Sequence, residues 1–127
     1  MEFNIPTGIR HSLEQSVLQE HSALYFGSGS VDVFATPAMI AFMEKCAMES
    51  VLHHLPEGHT TVGTEVNIKH LKATPVGAKV RAESYLNYND GKKLFFEVHA
   101  WDEKGMIGIG THTRFIVEKN RFIDKLK

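Results

Sequence analysis

Two periodicities divide this chain. Between Thr36 and Leu55 apolar residues recur at helical spacing, whereas from Thr61 onward apolar and polar residues alternate with a period of two. The helical stretch is almost all apolar, with one narrow polar stripe of Lys45, Glu49 and His53, so it predicts a helix covered on most sides by other structure. Thr36 suits the N-cap, Pro37 suits the first helical position where an N–H is not needed, and Pro56 to Gly58 stop the helix. Glu49 stands one turn from both Lys45 and His53 and is placed to pair with either.

The alternating part predicts four strands. Thr61 to Leu71 puts Val62, Thr64, Val66, Ile68 and His70 on one face and Gly63, Glu65, Asn67, Lys69 and Leu71 on the other. Ala78 to Tyr88 repeats the pattern, and Asn89-Asp90-Gly91 is a hairpin signal because tight hairpins need positive φ. Leu94 to Asp102 returns, a turn to Gly105 follows, and Met106 to Val117 forms a last long strand. Ahead of the helix the pattern is weaker, with a strand near Ile9 to Val17 and a Gly/Ser-rich turn at Gly27 to Ser30; behind the strands, Glu118 to Lys127 reads as a tail. A buried helix and hairpin-linked strands predict an α+β fold, an antiparallel sheet curved against the helix.

Composition narrows the function classes. The 127 residues fit one domain spanning 1–127, and a net charge of −1 gives no basic face for nucleic acid. No apolar run approaches membrane-spanning length and none resembles a leader, so the expectation is a cytoplasmic protein with no membrane partner. Cys46 is alone, which excludes an internal disulfide, and its place within the helix points to packing.

Three residues invite chemistry. Glu44 has Ile40, Ala41, Ala47 and Met48 one turn away, and a carboxylate in so apolar a stripe needs a reason, of which service as a general base or nucleophile is one. His70 continues the apolar face of its strand and brings an imidazole inward. Thr36 sets a hydroxyl at the helix start, where free N–H groups favour developing negative charge. Each also has an ordinary reading: Thr36 as a cap, Glu44 in an ion pair across an interface, and His70 as a hydrogen-bonded structural histidine. His53, His54 and His59 lack a recognised metal-ligand spacing, so no metal is expected. His112 and Arg114 share a face of the last strand beside Gly108 and Gly110, which leave room for a ligand or another backbone.

Thr36, Glu44 and His70, within VFATPAMIAFMEKC and GTEVNIKHLKATPVG, resemble the catalytic region of the fluoroacetyl-CoA thioesterase group in the hotdog-fold acyl-CoA thioesterase superfamily. The spacing of the three residues, Gly63, the ATP-x-G turn at Ala73 to Gly77, and GTHTR at Gly110 to Arg114 carry the likeness, which covers about Val33 to Val117. The resemblance implies a homodimer, with a tetramer left open, whose active site lies between subunits. It also implies a coenzyme A thioester as substrate and no cofactor. Glu44 would be base or nucleophile, Thr36 would orient it or the substrate carbonyl, and His70 would move a proton or stabilise the oxyanion. Gly63 would bring backbone close to the acyl group and Arg114 would lie near the pocket. The family's aromatic lid position falls on Ser30, which implies an open entrance and an ordinary short- or medium-chain acyl-CoA thioesterase. Phe26 or Phe34 would fill the space if the loop differs. Lys69, Lys72, Lys79 and Arg81 are candidates for the coenzyme A phosphates. Two alternatives remain at this point: an acyl-CoA-binding dimer without turnover, and a hotdog-fold hydratase or dehydratase.

Overall fold

The computed structural model describes residues 3–127. Its elements are β1 (Arg10–Ser16), a short α1 (Ala23–Phe26), the long α2 (Thr36–Leu52), β2 (His59–His70), β3 (Lys79–Asn89), β4 (Lys93–Asp102), β5 (Gly105–Glu118) and α3 (Lys119–Asp124). The strands form one antiparallel sheet in the order β1-β3-β4-β5-β2. Strands β3, β4 and β5 follow one another through hairpins, the first turning at Gly91 with φ 102°. Strand β2, which precedes them in sequence, pairs with β5 and becomes an edge.

Helix α2 buries Ala38, Met39, Phe42, Met43, Cys46, Ala47 and Val51 in one core with Ala82, Leu86, Leu94, Phe96, Val98, Ala100 and Ile107 from the sheet. This is the expected α+β arrangement. The cover is one-sided, however. Pro37, Ala41, Lys45 and Leu52 are exposed and Ile40, Glu44 and Met48 are half-buried, so a stripe of the helix beside β2 faces outward. Glu49 is drawn off the expected solvent stripe: its carboxylate lies 3.5 Å from His11 on β1 and does not serve Lys45 or His53. The helix also ends at Leu52 and not Leu55, because Pro56 disfavours helical backbone before it and cannot donate a hydrogen bond.

A second difference bears on the site. The register of β2 against β5 shifts between Gly63 and Glu65. Thr61 and Gly63 pair with Ile116 and Arg114, whereas Val66, Ile68 and His70 pair with His112, Gly110 and Gly108. One extra residue, a β-bulge, therefore reverses the alternation. Val62 and Thr64 leave the face of His70, and Gly63 joins it. A similar shift after Leu86 turns Tyr88 outward while Val80, Ala82, Ser84 and Leu86 stay buried.

The C-terminal tail forms α3, tied to the chain after α2 by Lys119 N–H donating to the Gly58 carbonyl at 2.8 Å. Among the described residues, no helix is long and apolar enough to cross a membrane.

Candidate active site

Thr36 and His70 meet. The last residue of β2 reaches the first turn of α2, and Thr36 Oγ1 lies 2.8 Å from His70 Nδ1. Thr36 is therefore not a cap: Ala35 occupies the cap position and no side chain caps the helix there. The other imidazole nitrogen, His70 Nε2, is buried without a hydrogen-bond partner among the described residues. Burial lowers the His70 pKa, with a backbone contact from Lys72 pulling the other way, so the ring is neutral at pH 7. Thr36 and His70 line a cleft of about 320 Å³ with Ala23, Val33 and Phe34.

Glu44 belongs to a second cluster. Its side chain is 37% exposed on the outward stripe of α2 and is not the deeply buried acid that the helical pattern predicts. Of its apolar neighbours one turn away, Ala41 and Met48 line an open cleft while Ala47 is buried in the core. The cleft, about 400 Å³, is lined by Ala41, Glu44, Lys45, Met48, Thr61, Val62, Gly63 and Arg114. A Cβ at Gly63 would lie 2.9 Å from Glu44 Oε2, 3.1 Å from His112 Cε1 and 3.3 Å from Arg114 Nη1. Glycine here lets a carboxylate, an imidazole and a guanidinium approach one point of backbone.

Arg114 is buried and strongly held. It donates from Nε to Thr61 Oγ1 at 2.7 Å, from Nη2 to the Thr61 carbonyl at 2.9 Å and from Nη1 to His112 Nε2 at 3.1 Å. Burial lowers its pKa and the Glu44 carboxylate raises it; a guanidinium stays charged throughout.

Eight helical residues separate Thr36 from Glu44, a rise of about 12 Å. Seven strand residues separate Gly63 from His70, roughly 20 Å along the strand. The structure thus gathers the five expected residues into two groups, Thr36 with His70 and Glu44 with Gly63 and Arg114, at opposite ends of one strand face.

Other expectations resolve locally. Gly110 makes room for backbone, since a Cβ there would meet Ile68 Cα at 2.7 Å, and Gly108 makes room for Met39 and Met43. Lys72 pairs with Asp102 at 2.9 Å, and Arg81 lies over the Trp101 ring at 4.2 Å and pairs with Glu83 at 3.0 Å, so two of the four phosphate candidates have structural partners. Among the described residues no three His, Cys, Asp or Glu side chains gather to hold a metal. Ser30 is exposed on the loop before α2, Phe26 at the end of α1 is exposed, and Phe34 is buried in the core while lining the cleft of Thr36 and His70, which removes Phe34 as a lid. Sequence reasoning missed Thr61, whose hydroxyl and carbonyl anchor Arg114, and Asp102, which holds Lys72 and Thr74 behind His70. The only sequence signal for either was an inward polar residue on an otherwise ordinary strand.

A long helix seated in an antiparallel sheet, with paired polar clusters beside an edge strand, is the hotdog fold of thioester hydrolases, and comparison with known proteins agrees. The model of the fluoroacetyl-CoA-specific thioesterase family matches residues 17–120. The chain is 32% identical over 96 residues to the fluoroacetyl-CoA thioesterase of Streptantibioticus cattleyicolor, covering 76% of this chain and 69% of that one. It superposes on a solved structure of a fluoroacetyl-CoA thioesterase with a TM-score of 0.91 and 28% identity, over 97% of this chain and 96% of that one. A hot-dog-like protein from Thermanaerovibrio acidaminovorans shares the fold, with a TM-score of 0.88 and 22% identity, over 99% of this chain and 95% of that one. The chain belongs to the fluoroacetyl-CoA-specific thioesterase family and is a thioester hydrolase.

Proposed function

We propose that this protein hydrolyses short- or medium-chain acyl-CoA thioesters at two equivalent sites, each built from two copies of the chain. The observation that carries this reading is the split of the polar residues into half-sites on one edge strand. No single thioester carbonyl, about 1.2 Å long, reaches both halves within one protomer, and a two-fold axis beside β2 would set each half against the other half of a second copy.

The edge strand suggests how. Antiparallel pairing centred on Asn67 places Val66 against Ile68 of the second copy and Glu65 against Lys69, joining apolar to apolar and acid to base. The same register sets His70 opposite the bulge at Gly63 and Thr64. An unpaired edge that exposes Val66 at 41% favours such a partner.

In the completed site, Glu44 of one copy is the base or nucleophile and Thr36 with His70 comes from the other. As base, the carboxylate takes a proton from water as its oxygen adds to the thioester carbonyl. The tetrahedral intermediate then expels sulfur; the neutral His70 ring takes the proton over from Glu44 and, as imidazolium, gives it to the leaving thiolate. As nucleophile, Glu44 forms an acyl anhydride as the thiolate leaves, and the water that hydrolyses the anhydride supplies the proton the thiolate takes up. Arg114 provides positive charge for the oxyanion on either route, and the Gly63 backbone borders the cleft that takes the acyl group.

Ser30 at the lid position argues against carrying fluoroacetyl selectivity over from the relatives. Thiol release from a panel running from acetyl to long-chain acyl-CoA, with fluoroacetyl-CoA included, tests the reading. Turnover abolished in Glu44→Ala supports it. Stoichiometric retention of acyl-CoA without thiol release would assign the protein to binding instead. A fluoroacetyl preference of ~100-fold, roughly 2.7 kcal/mol, would overturn the reading of the lid.

A further inference from the structure

His112 and Arg114 are two residues apart on β5 and face the same way. Both are buried, at 2% and 6% exposure. An arginine has only donors, so the 3.1 Å contact between Arg114 Nη1 and His112 Nε2 makes Nε2 the acceptor. The other ring nitrogen, Nδ1, lies 2.8 Å from the carbonyl of Glu65, which can only accept. These two contacts leave a single protonation state, a neutral ring with its proton on Nδ1. A proton on Nε2 would set N–H against N–H.

The surroundings agree. Glu44 Oε2 approaches His112 Nε2 at 3.9 Å from α2, Arg114 lies beside it on β5, the Glu65 carbonyl faces it from β2, and the uncharged Phe96 ring stacks on it from β4 at 6.3 Å. Burial lowers the pKa of the ring and the Arg114 charge lowers it further, against the Glu65 carbonyl and Glu44.

Glu44 Oε2 and Arg114 Nη1 both approach the absent Cβ of Gly63, at 2.9 and 3.3 Å. Opposite charges so close draw together unless something holds one of them. Two of the Arg114 nitrogens are fixed by Thr61, and the third, on the side of Glu44, is fixed by His112.

We propose that His112 is a positioning residue: protonated on Nδ1 and accepting at Nε2, it holds Arg114 Nη1 over Gly63 and keeps the guanidinium from collapsing onto the Glu44 carboxylate. The bond from Nδ1 to Glu65 also ties the ring to the far side of the β2 bulge, so one side chain sets both the arginine and the strand beneath it. The role rests on the thioesterase reading; the protonation state does not.

Two variants and one spectrum test this. His112→Asn keeps a donor near Nδ1 for the Glu65 carbonyl but is too short to carry an acceptor out to Arg114, and His112→Gln restores an acceptor near the Nε2 position. The expected result is a kcat lower by about 10- to 100-fold in the Asn variant, KM within about threefold of wild type, and recovery to within about fivefold in the Gln variant. Imidazole ¹⁵N spectra of the wild-type protein are expected to show His112 protonated on Nδ1 alone at pH 7. Wild-type kcat in the Asn variant, a Gln variant as impaired as the Asn variant, or a proton on Nε2 would each overturn the proposal. If the Asn variant does not fold, the Gln variant and the spectrum decide. Absence of thiol release by the wild type would sink the thioesterase reading, and the spectrum would still report on His112.

Discussion

The Thr36 hydroxyl lies 2.8 Å from His70 Nδ1, joining the first turn of α2 to the last residue of β2. The bond leaves His70 Nε2 as a buried nitrogen with no hydrogen-bond partner among the described residues. A buried polar group left unpaired is costly to a fold, and a substrate or leaving group would give it a partner. Thr36→Ala is therefore expected to lower kcat by about 10- to 100-fold by freeing the ring, whereas Thr36→Ser keeps the hydroxyl and most of the rate. Thiol-release kinetics on the two variants check this; equal rates for Ala and wild type would contradict it.

His70 also sets the acid limb of the pH profile. Burial lowers its pKa below the ordinary 6.5, so the ring stays neutral until the pH falls below that value. The midpoint of the acid limb in kcat/KM is expected below 6.5 unless a second group titrates above it. His70→Gln tests the assignment, since it should lose that limb along with most of the rate. An unchanged limb in this variant would exclude His70 as its source.

Gly63 has no room for a side chain. A Cβ there would sit 2.9 Å from Glu44 Oε2 and 3.1 Å from His112 Cε1, and the imidazole is held at both nitrogens. Gly63→Ala should displace Glu44 and lower turnover by about tenfold or more while the circular dichroism spectrum stays native. A fully active Ala variant would show that the space over Gly63 is not used.

Asp102 supports the His70 end of the site from behind. Its side chain is 5% exposed, and it accepts from Lys72 Nζ and Thr74 Oγ1, each at 2.9 Å, fixing the segment that follows His70. Burial alone would raise its pKa, but Lys72, the Lys104 N–H and Thr74 together hold it below the usual carboxylate value. A folded-state pKa below the unfolded one adds stability at pH values above the unfolded pKa, and that contribution fades as the pH falls through the folded pKa. Asp102→Asn should therefore destabilise the protein by about 1 kcal/mol at pH 7 and progressively less below about pH 4. Denaturant unfolding at both pH values measures the difference; a gap that widens in acid would contradict it.

The helix, the strand alternation and the Asn89-Asp90-Gly91 hairpin were legible because each depends on neighbours in sequence. Glu44 and His70 stood out as polar groups on apolar faces, and Thr36 as a hydroxyl at the helix start. The face of Gly63 was not legible, because a bulge is one extra residue whose cost and benefit lie in the pairing with β5. Nor was the exposure of Glu44: beside it Ile40 and Met48 are half-buried and Ala41 is exposed, and periodicity cannot distinguish an apolar stripe that faces the core from one that faces away from it. Glu49 turned to His11 for a related reason, since the partner came from β1 and not from its own helix.

The central claim is that Glu44 and His70 act together across two chains, and subunit complementation tests it most directly. Glu44→Ala and His70→Ala chains, each inactive alone, are co-expressed with different tags and the mixed dimers are isolated. Each mixed dimer then contains one intact site and one doubly disabled site, so the account predicts thiol release at about half the wild-type rate per dimer. Mixed dimers that form but are no more active than either parent would show that the two residues do not share a site across the interface.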